Sequence, residues 1–328
     1  MQKQTLSWCW SQPGKPDELE LTHTAIPYLE DDQVLIANSV TGLNPVDWKF
    51  IEQPFDLWQR GHVPGVDGMG VIIAKGSRVS HLRIGMRVCY HTNLRTNGSF
   101  SHHTVVSAKA VIPVPDGVSD EAAAALPCPG LTAWQAMKKV PELKGKRVLV
   151  SGAGGAVGSI LTQLLIRQGA LVYATASSIN HARLGHWGVI QSFDYKDDDW
   201  RQQLRQQLGS HALHAAFDLV SGEHAATLGA LLGYYGHLVC VQDRLEHSPV
   251  GSFTTCISLH EIALGAMHQH GSDTQWADLV AAGQSLLADI SRGALVLPKF
   301  QLGSFEQLPE SLTELKRNDR AIKYLIQN

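Results

Sequence analysis

The stretch Lys146-Arg147-Val148-Leu149-Val150-Ser151-Gly152-Ala153-Gly154-Gly155-Ala156-Val157-Gly158 decides how the rest of this 328-residue chain is read. Arg147 to Val150 is a short apolar run of strand type, and the glycine-rich loop 151–158 follows it directly. Beyond the loop, Ile160, Leu161, Leu164 and Leu165 recur at helical spacing, Gly169 is placed to end the helix, and Leu171 to Thr175 forms a second β-rich run. The unit is strand, loop, helix, strand, completed within about 30 residues, which is the context a dinucleotide-binding loop requires. Glycines at 152, 155 and 158 allow a tight turn, close approach of a pyrophosphate, and packing of helix on strand. The first helical turn then offers its free N–H groups to phosphate. Gly152, Ala153, Gly154, Gly155, Ala156, Val157 and Gly158 are therefore the expected phosphate-binding residues.

Composition narrows the partner. A formal net charge of −3 and the lack of any basic run argue against nucleic acid or a membrane surface, and favour a small-molecule substrate. Five scattered cysteines (Cys9, Cys89, Cys128, Cys240, Cys256), with no CxxC pair, indicate neither a disulfide framework nor a thiolate metal cluster. The start of the chain has no basic segment followed by an apolar core, and no run of about 18 apolar residues occurs, so a cytoplasmic protein is expected.

Residues 1 to about 114 read as short strands separated by Gly and Pro: Thr5–Trp10, Glu18–Thr24, Gln33–Val40, Gly68–Ala74, Arg87–Tyr90, Ser101–Val106 and Ala110–Val114. That pattern suits a small barrel-like lobe. Ser119 is placed to cap a helix through Ala122–Leu126, Pro127 and Pro129 are expected to break it, and helical spacing resumes over Leu131–Lys139. From 147 onward strands and helices alternate, with strands at Val189–Ile190, Ala215–Val220 and His237–Val241, and helices at Trp200–Leu208 and Glu223–Leu232. Alternation predicts a parallel sheet. A possible strand at Ile257–Leu264, helices at Gln275–Ile290 and Leu308–Lys316, and a strand at Ile322–Ile326 complete the chain.

Five motifs in order, Gly42-Leu43-Asn44-Pro45-Val46-Asp47, Pro64-Gly65-Val66-Asp67-Gly68-Met69-Gly70-Val71, Gly98-Ser99-Phe100-Ser101, Gly130-Leu131-Thr132-Ala133 and the loop 151–158, resemble the medium-chain dehydrogenases/reductases. Within that superfamily the chain looks like the zinc-independent quinone oxidoreductases, the branch of zeta-crystallin. The resemblance implies an α/β chain with a GroES-like, β-rich catalytic domain at 1–125 and 266–328. It also implies an inserted Rossmann domain with a doubly wound parallel sheet at 126–265, and a substrate cleft at their junction.

Zinc-dependent relatives carry ligands where this chain has Leu43, Val66-Asp67 and Pro129; Leu, Val and Pro cannot ligate, and Cys128 is one position out of register. Cys89 stands alone where those relatives have four cysteines. The remaining candidates, His102-His103 and His268-Gln269-His270, include adjacent positions that point to opposite faces of a strand. No metal site is expected.

After the second strand of the unit the chain reads Thr175-Ala176-Ser177-Ser178, without the Asp or Glu that reads the ribose 2′-hydroxyl of NAD. Ser177 and Ser178, with Arg183 and His181 nearby, favour NADPH over NADH; equally, the two serines can serve as caps for the helix that follows. The family's usual Lys near 179 is replaced by Ile179. The resemblance further implies Asn44 beside the nicotinamide, Thr132 under its ribose, Tyr195 beside the adenosine phosphate, and Val241 and Gln242 facing the carboxamide. Asn44-Pro45 also suits an ordinary turn, and Thr132 a helix cap.

With no zinc, charge developing on the substrate oxygen needs another donor. The branch places Asn and Asp of an Asn-x-x-Asp motif by the nicotinamide with a Tyr two residues on; here Asn44 and Asp47 are kept and Lys49 replaces the Tyr. Asn44, Asp47 and Lys49 are the catalytic candidates, Trp48 and Phe55 an apolar wall, and Tyr90 and His91 reserve donors. The expected function is an NADPH-dependent, zinc-independent reductase, quinone-reductase-like, that passes hydride to a quinone or an α,β-unsaturated carbonyl. The alternatives are an enoyl-thioester reductase and an NADPH-binding sensor or structural protein with little catalysis. Relatives pair Rossmann sheets edge to edge, which implies a homodimer through Ile257–Leu264.

Overall fold

The computed structural model describes residues 4–53, 56, 58–317 and 322–328. In chain order, the first part contains β1 (Gln4–Cys9), β2 (Glu20–Ala25), β3 (Gln33–Gly42), α1 (Pro45–Glu52), β4 (Asp67–Lys75), β5 (Arg87–His91), β6 (His103–Ser107), β7 (Val111–Pro113), α2 (Asp120–Ala125) and α3 (Pro127–Lys138). The middle contains β8 (Arg147–Ser151), α4 (Ala156–Arg167), β9 (Leu171–Thr175), α5 (His181–Trp187), β10 (Gln191–Phe193), α6 (Trp200–Leu208), β11 (Leu213–Asp218), α7 (Glu223–Gly229), β12 (Leu232–Cys240) and β13 (Ser258–Glu261). The last part contains α8 (Met267–His270), α9 (Asp273–Ser291), β14 (Lys299–Ser304), α10 (Leu308–Arg317) and β15 (Ile322–Gln327). These fold as two units, one of Met1–Leu131 with Gly265–Asn328, the other of Thr132–Leu264.

The split unit holds a seven-stranded sheet in which β14, β15, β3, β4, β5 and β7 follow one another and β6 pairs with β3, plus the separate β1–β2 pair. Only β14 and β15 run parallel; the other pairs are antiparallel. Return of the chain end to β3 puts Leu325 opposite Gly42, and this register sets Lys323 beside the loop that leads into α1. Trp10, Leu43, Ile51, Trp58, Phe100, Phe305, Leu308 and Tyr324 form its apolar core, with Trp10 and Trp58 edge to face at 5.6 Å.

The second unit is a six-stranded parallel sheet in the order β10-β9-β8-β11-β12-β13. Counted along the chain this is 3-2-1-4-5-6, the doubly wound order, whose direction reverses between β8 and β11. Ile160, Leu161, Leu164 and Leu165 of α4 are buried as the helical spacing requires, and Gly169 (φ 77°) ends the helix in the left-handed region.

Two expectations about elements need correction. Pro127 does separate α2, which ends at Ala125, from the next helix, but that helix opens at Pro127 and not at Leu131, with Pro129 inside its first turn: the fixed φ and missing N–H are no handicap there, where N–H groups lack intrahelical acceptors anyway. The third strand of the parallel sheet is Gln191–Phe193, not Val189–Ile190, because the left-handed Gly188 ends α5 and the chain needs two further residues to reach its register with β9. The capped helix α1 and the strand β14 add to what the residue pattern gave.

Candidate functional site

In the parallel sheet, the residues that the sequence assigns to a dinucleotide, apart from Asn44, Thr132 and the α5 residue Arg183, follow the carboxyl ends of strands. The loop 152–158 follows β8, Ser177 and Ser178 follow β9, Tyr195 follows β10, and Val241 and Gln242 follow β12. That edge, at the point where strand order reverses, is where open α/β sheets bind ligands. Thr175 tethers the loop by accepting N–H bonds from Gly152 (3.1 Å) and Ala153 (2.9 Å) at its carbonyl. Gly152 takes φ 86°, a conformation costly for any residue with a Cβ. The Gln242 amide donates to the Leu219 carbonyl at 3.1 Å, joining the ends of β12 and β11.

The loop distinguishes glycines kept for packing from those kept for a ligand. A Cβ on Gly158 would collide with the Gly152 carbonyl oxygen and come within 2.8 Å of the Ala153 Cα. A Cβ on exposed Gly155 would meet only the Gly152 oxygen at 3.6 Å, an ordinary contact. The first α4 bond runs from Ser159 N to Gly155 O (2.9 Å), so the N–H groups of Ala156, Val157 and Gly158 precede the ladder. A bare cradle at an anion-attracting helix end fits a pyrophosphate.

On the adenosine side, Arg183 turns toward the protein. One guanidinium nitrogen donates to the Gly154 carbonyl (3.2 Å) and to Asn180 Oδ1 (2.9 Å), and the group lies 5.1 Å over the Trp187 ring. Ser177 is half-buried and Ser178 exposed; Tyr195 is exposed, with Lys196 Nζ 5.9 Å from its ring centre. Thr132 is buried in α3. One polar residue at this edge escaped sequence reading: Asp194, directly after β10, accepts the Ser178 N–H at 3.1 Å.

The other candidates share a buried polar cluster in the split unit. Asp47, in the first turn of α1, takes the Asn44 N–H (2.7 Å) on one carboxylate oxygen and the Val66 N–H (3.1 Å) on the other. Asn44 is fully engaged: its amide NH2 donates to Asp67 Oδ2 (2.9 Å) and the Gly42 carbonyl (3.1 Å), and its carbonyl accepts from Lys323 Nζ (2.6 Å). Asp67 also takes the Cys128 N–H, at 2.9 and 3.0 Å, and lies 3.7 Å from the Lys323 ammonium. Asn44, Asp47, Asp67 and Lys323 are all 3% exposed or less. Burial pushes Asp47 up to about 7 and Asp67 up to about 6, against the lowering effect of the hydrogen bonds and of Lys323. Asp47 and Asn44 thus position their surroundings, whereas Lys49 projects from the exposed face of α1, its Nζ 5.9 Å from the Trp48 ring centre.

Lys323 is the member of this cluster that sequence reading missed. Leu43, Val66 and Pro129 leave the zinc-ligand positions without donor atoms, and among the described residues no group of three or more His, Cys, Asp or Glu can hold a metal ion. Tyr90 is not a reserve donor at a surface: it is fully buried and donates to Asn38 Oδ1 at 2.5 Å inside the sheet. His91 is buried also, its carbonyl accepting from His268 Nε2 at 3.1 Å. Phe55 lies outside the described residues. Among the described residues no helix is long and apolar enough to cross a membrane.

Comparison with known proteins agrees with this architecture. Residues 30–116 match the alcohol dehydrogenase GroES-like domain. The trans-enoyl reductase tazE of Aspergillus terreus is 30% identical over 262 residues, 73% of this chain and 84% of that protein. The 2-methylene-furan-3-one reductase of Solanum lycopersicum is 32% identical over 205 residues, 59% of this chain, which spans only 53% of that relative's length. The quinone oxidoreductase of Coxiella burnetii has the same fold, with a TM-score of 0.83, 23% identity, and 99% of this chain and 100% of that one covered. The chain belongs to the medium-chain dehydrogenase/reductase superfamily of oxidoreductases.

Proposed function

We propose that this chain is an NADPH-dependent, zinc-independent reductase of quinones or α,β-unsaturated carbonyl compounds. The observation that carries the reading is the cradle at Gly155, where a side chain would fill ligand space and disturb no packing. When bound, the reduced nicotinamide supplies the hydride. Gly152 to Gly158 would hold the pyrophosphate, Ser177, Ser178 and Tyr195 the adenosine end, with Arg183 bracing the loop through the Gly154 carbonyl, and Thr132, Val241 and Gln242 the nicotinamide end. Asn44 and Asp47 keep α1 and its Lys49 in place, and Lys49 serves as hydrogen-bond donor to the substrate oxygen. The ligand-free side chains of Leu43, Val66 and Pro129, and a lysine already paired with Asp67, support chemistry without zinc.

A second reading, reduction of an enoyl thioester, is favoured by the trans-enoyl reductases among the relatives. Turnover of NADPH across quinones, enones and crotonyl thioester separates the two. Faster turnover of the thioester than of any quinone or enone selects the second reading. Tight NADPH binding without turnover of any acceptor would leave a sensor or structural role. The exposed edge strand β13 supports a homodimer, which light scattering checks: a monomeric mass removes it.

A further inference from the structure

The third strand of the parallel sheet delivers a carboxylate to the place where the second strand lacks one. Asp194 follows Phe193, the last residue of β10, and its two oxygens accept the N–H groups of Ser178 (3.1 Å) and Lys196 (3.0 Å). These bonds, first that of Lys196 and then the Ser178 N–H and hydroxyl, hold the carboxyl below its usual range, so it is ionised at neutral pH. Ser178 therefore spends its N–H on a fixed negative charge.

The surrounding charges offset it only slightly. Arg183, the nearest guanidinium to Ser178 in sequence, is turned to the Gly154 carbonyl and Asn180 and covers Trp187. Lys196 holds its ammonium close to Tyr195, and His181 exerts the smallest of the effects that favour the Asp194 carboxylate. Asp197, Asp198 and Asp199 are exposed on the segment that follows. A 2′-phosphate carries close to two negative charges and is repelled by a carboxylate, whereas a ribose 2′-hydroxyl can donate a hydrogen bond to one.

We infer that Asp194 sets this chain's choice between NADPH and NADH: by holding Ser178 it narrows the margin in favour of the 2′-phosphate and keeps NADH a competent ligand. The inference rests on the assignment of Ser177 and Ser178 to the adenosine ribose end. Its physical content is that the acid that reads the ribose comes from the end of the third strand instead of the second.

The test is a pair of dissociation constants, for NADPH and NADH, measured by fluorescence titration on the full chain and on Asp194→Asn. The NADPH constant should tighten on the order of tenfold, and the NADH constant should stay level or weaken, so the ratio moves toward NADPH. The shift should shrink as salt is raised. Asp194→Ser keeps a hydroxyl acceptor for the Ser178 N–H and gives the same reading if the Asn variant does not fold. A ratio unchanged within about twofold in the folded variant would overturn the inference. A wild type that prefers NADH, with a ratio that still moves toward NADPH in the variant, would refute the NADPH reading and leave the role of Asp194 standing.

Discussion

Lys323 Nζ donates to the side-chain carbonyl of Asn44 at 2.6 Å, joining residues 279 positions apart. The same ammonium lies 3.7 Å from Asp67, so the last strand closes a buried polar cluster that the Asn-Pro-Val-Asp motif opens. A buried ion pair with well-made hydrogen bonds contributes little net stability, but breaking it from one side strands a charge. Lys323→Met should cost about 3–5 kcal/mol by urea unfolding, and the added Asp67→Leu change should recover part of that loss. Additive losses in the double variant would show that the two side chains do not act as a pair.

Gly155→Val should leave the thermal midpoint close to wild type while weakening NADPH binding at least tenfold. Gly158→Val should lower the midpoint strongly, since its side chain would run into the Gly152 carbonyl. Isothermal titration together with melting curves separates the two effects. Unchanged affinity in Gly155→Val would remove the phosphate-cradle assignment.

How far the sequence reveals this site depends on how local each signal is. The cradle is legible because glycines, strand and helix all fall within one unit, and the parallel sheet follows from the alternation of elements, whereas its 3-2-1-4-5-6 order is read only from the strand pairings. Lys323 is illegible because nothing in Ala321-Ile322-Lys323-Tyr324 distinguishes a buried lysine from a solvated one. Only the pairing of β15 with β3 brings it to Asn44. Asp194 is hidden for a similar reason: it precedes Tyr195, the residue that the resemblance singles out, and its partner Ser178 lies 16 positions earlier on another strand end. Tyr90 misleads because a tyrosine near a loop has the same local signature whether its hydroxyl faces solvent or an interior amide.

Tyr90→Phe tests that last distinction. Removing the hydroxyl leaves Asn38 Oδ1 without this donor, at a cost of about 1–3 kcal/mol. Turnover by the folded fraction should match wild type. A large drop in kcat with unchanged stability would instead make the Tyr90 hydroxyl part of the chemistry.

The buried carboxyls give the fold a distinctive pH profile. Asp47 is raised to about 7 and Asp67 to about 6, from an ordinary value of 3.8, chiefly by burial. Each therefore binds its proton more tightly in the folded chain than in the unfolded one. The resulting stability is fully present below about pH 4 and is lost as pH rises toward 6 to 7. Urea unfolding of Asp47→Asn between pH 4 and pH 7 should show a shallower loss than wild type; parallel profiles would contradict the assignment.

Lys49 is the group expected to meet the substrate. Lys49→Met should reduce kcat for an enone by tenfold or more and leave the NADPH dissociation constant within about twofold. Equal losses in binding and turnover would mean that the lysine serves the cofactor or the fold instead.

The most direct test of the central claim is steady-state NADPH oxidation by chelator-treated protein, its metal content measured, with a quinone or an enone as acceptor. Turnover above background that is insensitive to the chelator and to added zinc is the predicted result. No turnover with any acceptor, or turnover that returns only with zinc, would contradict the account.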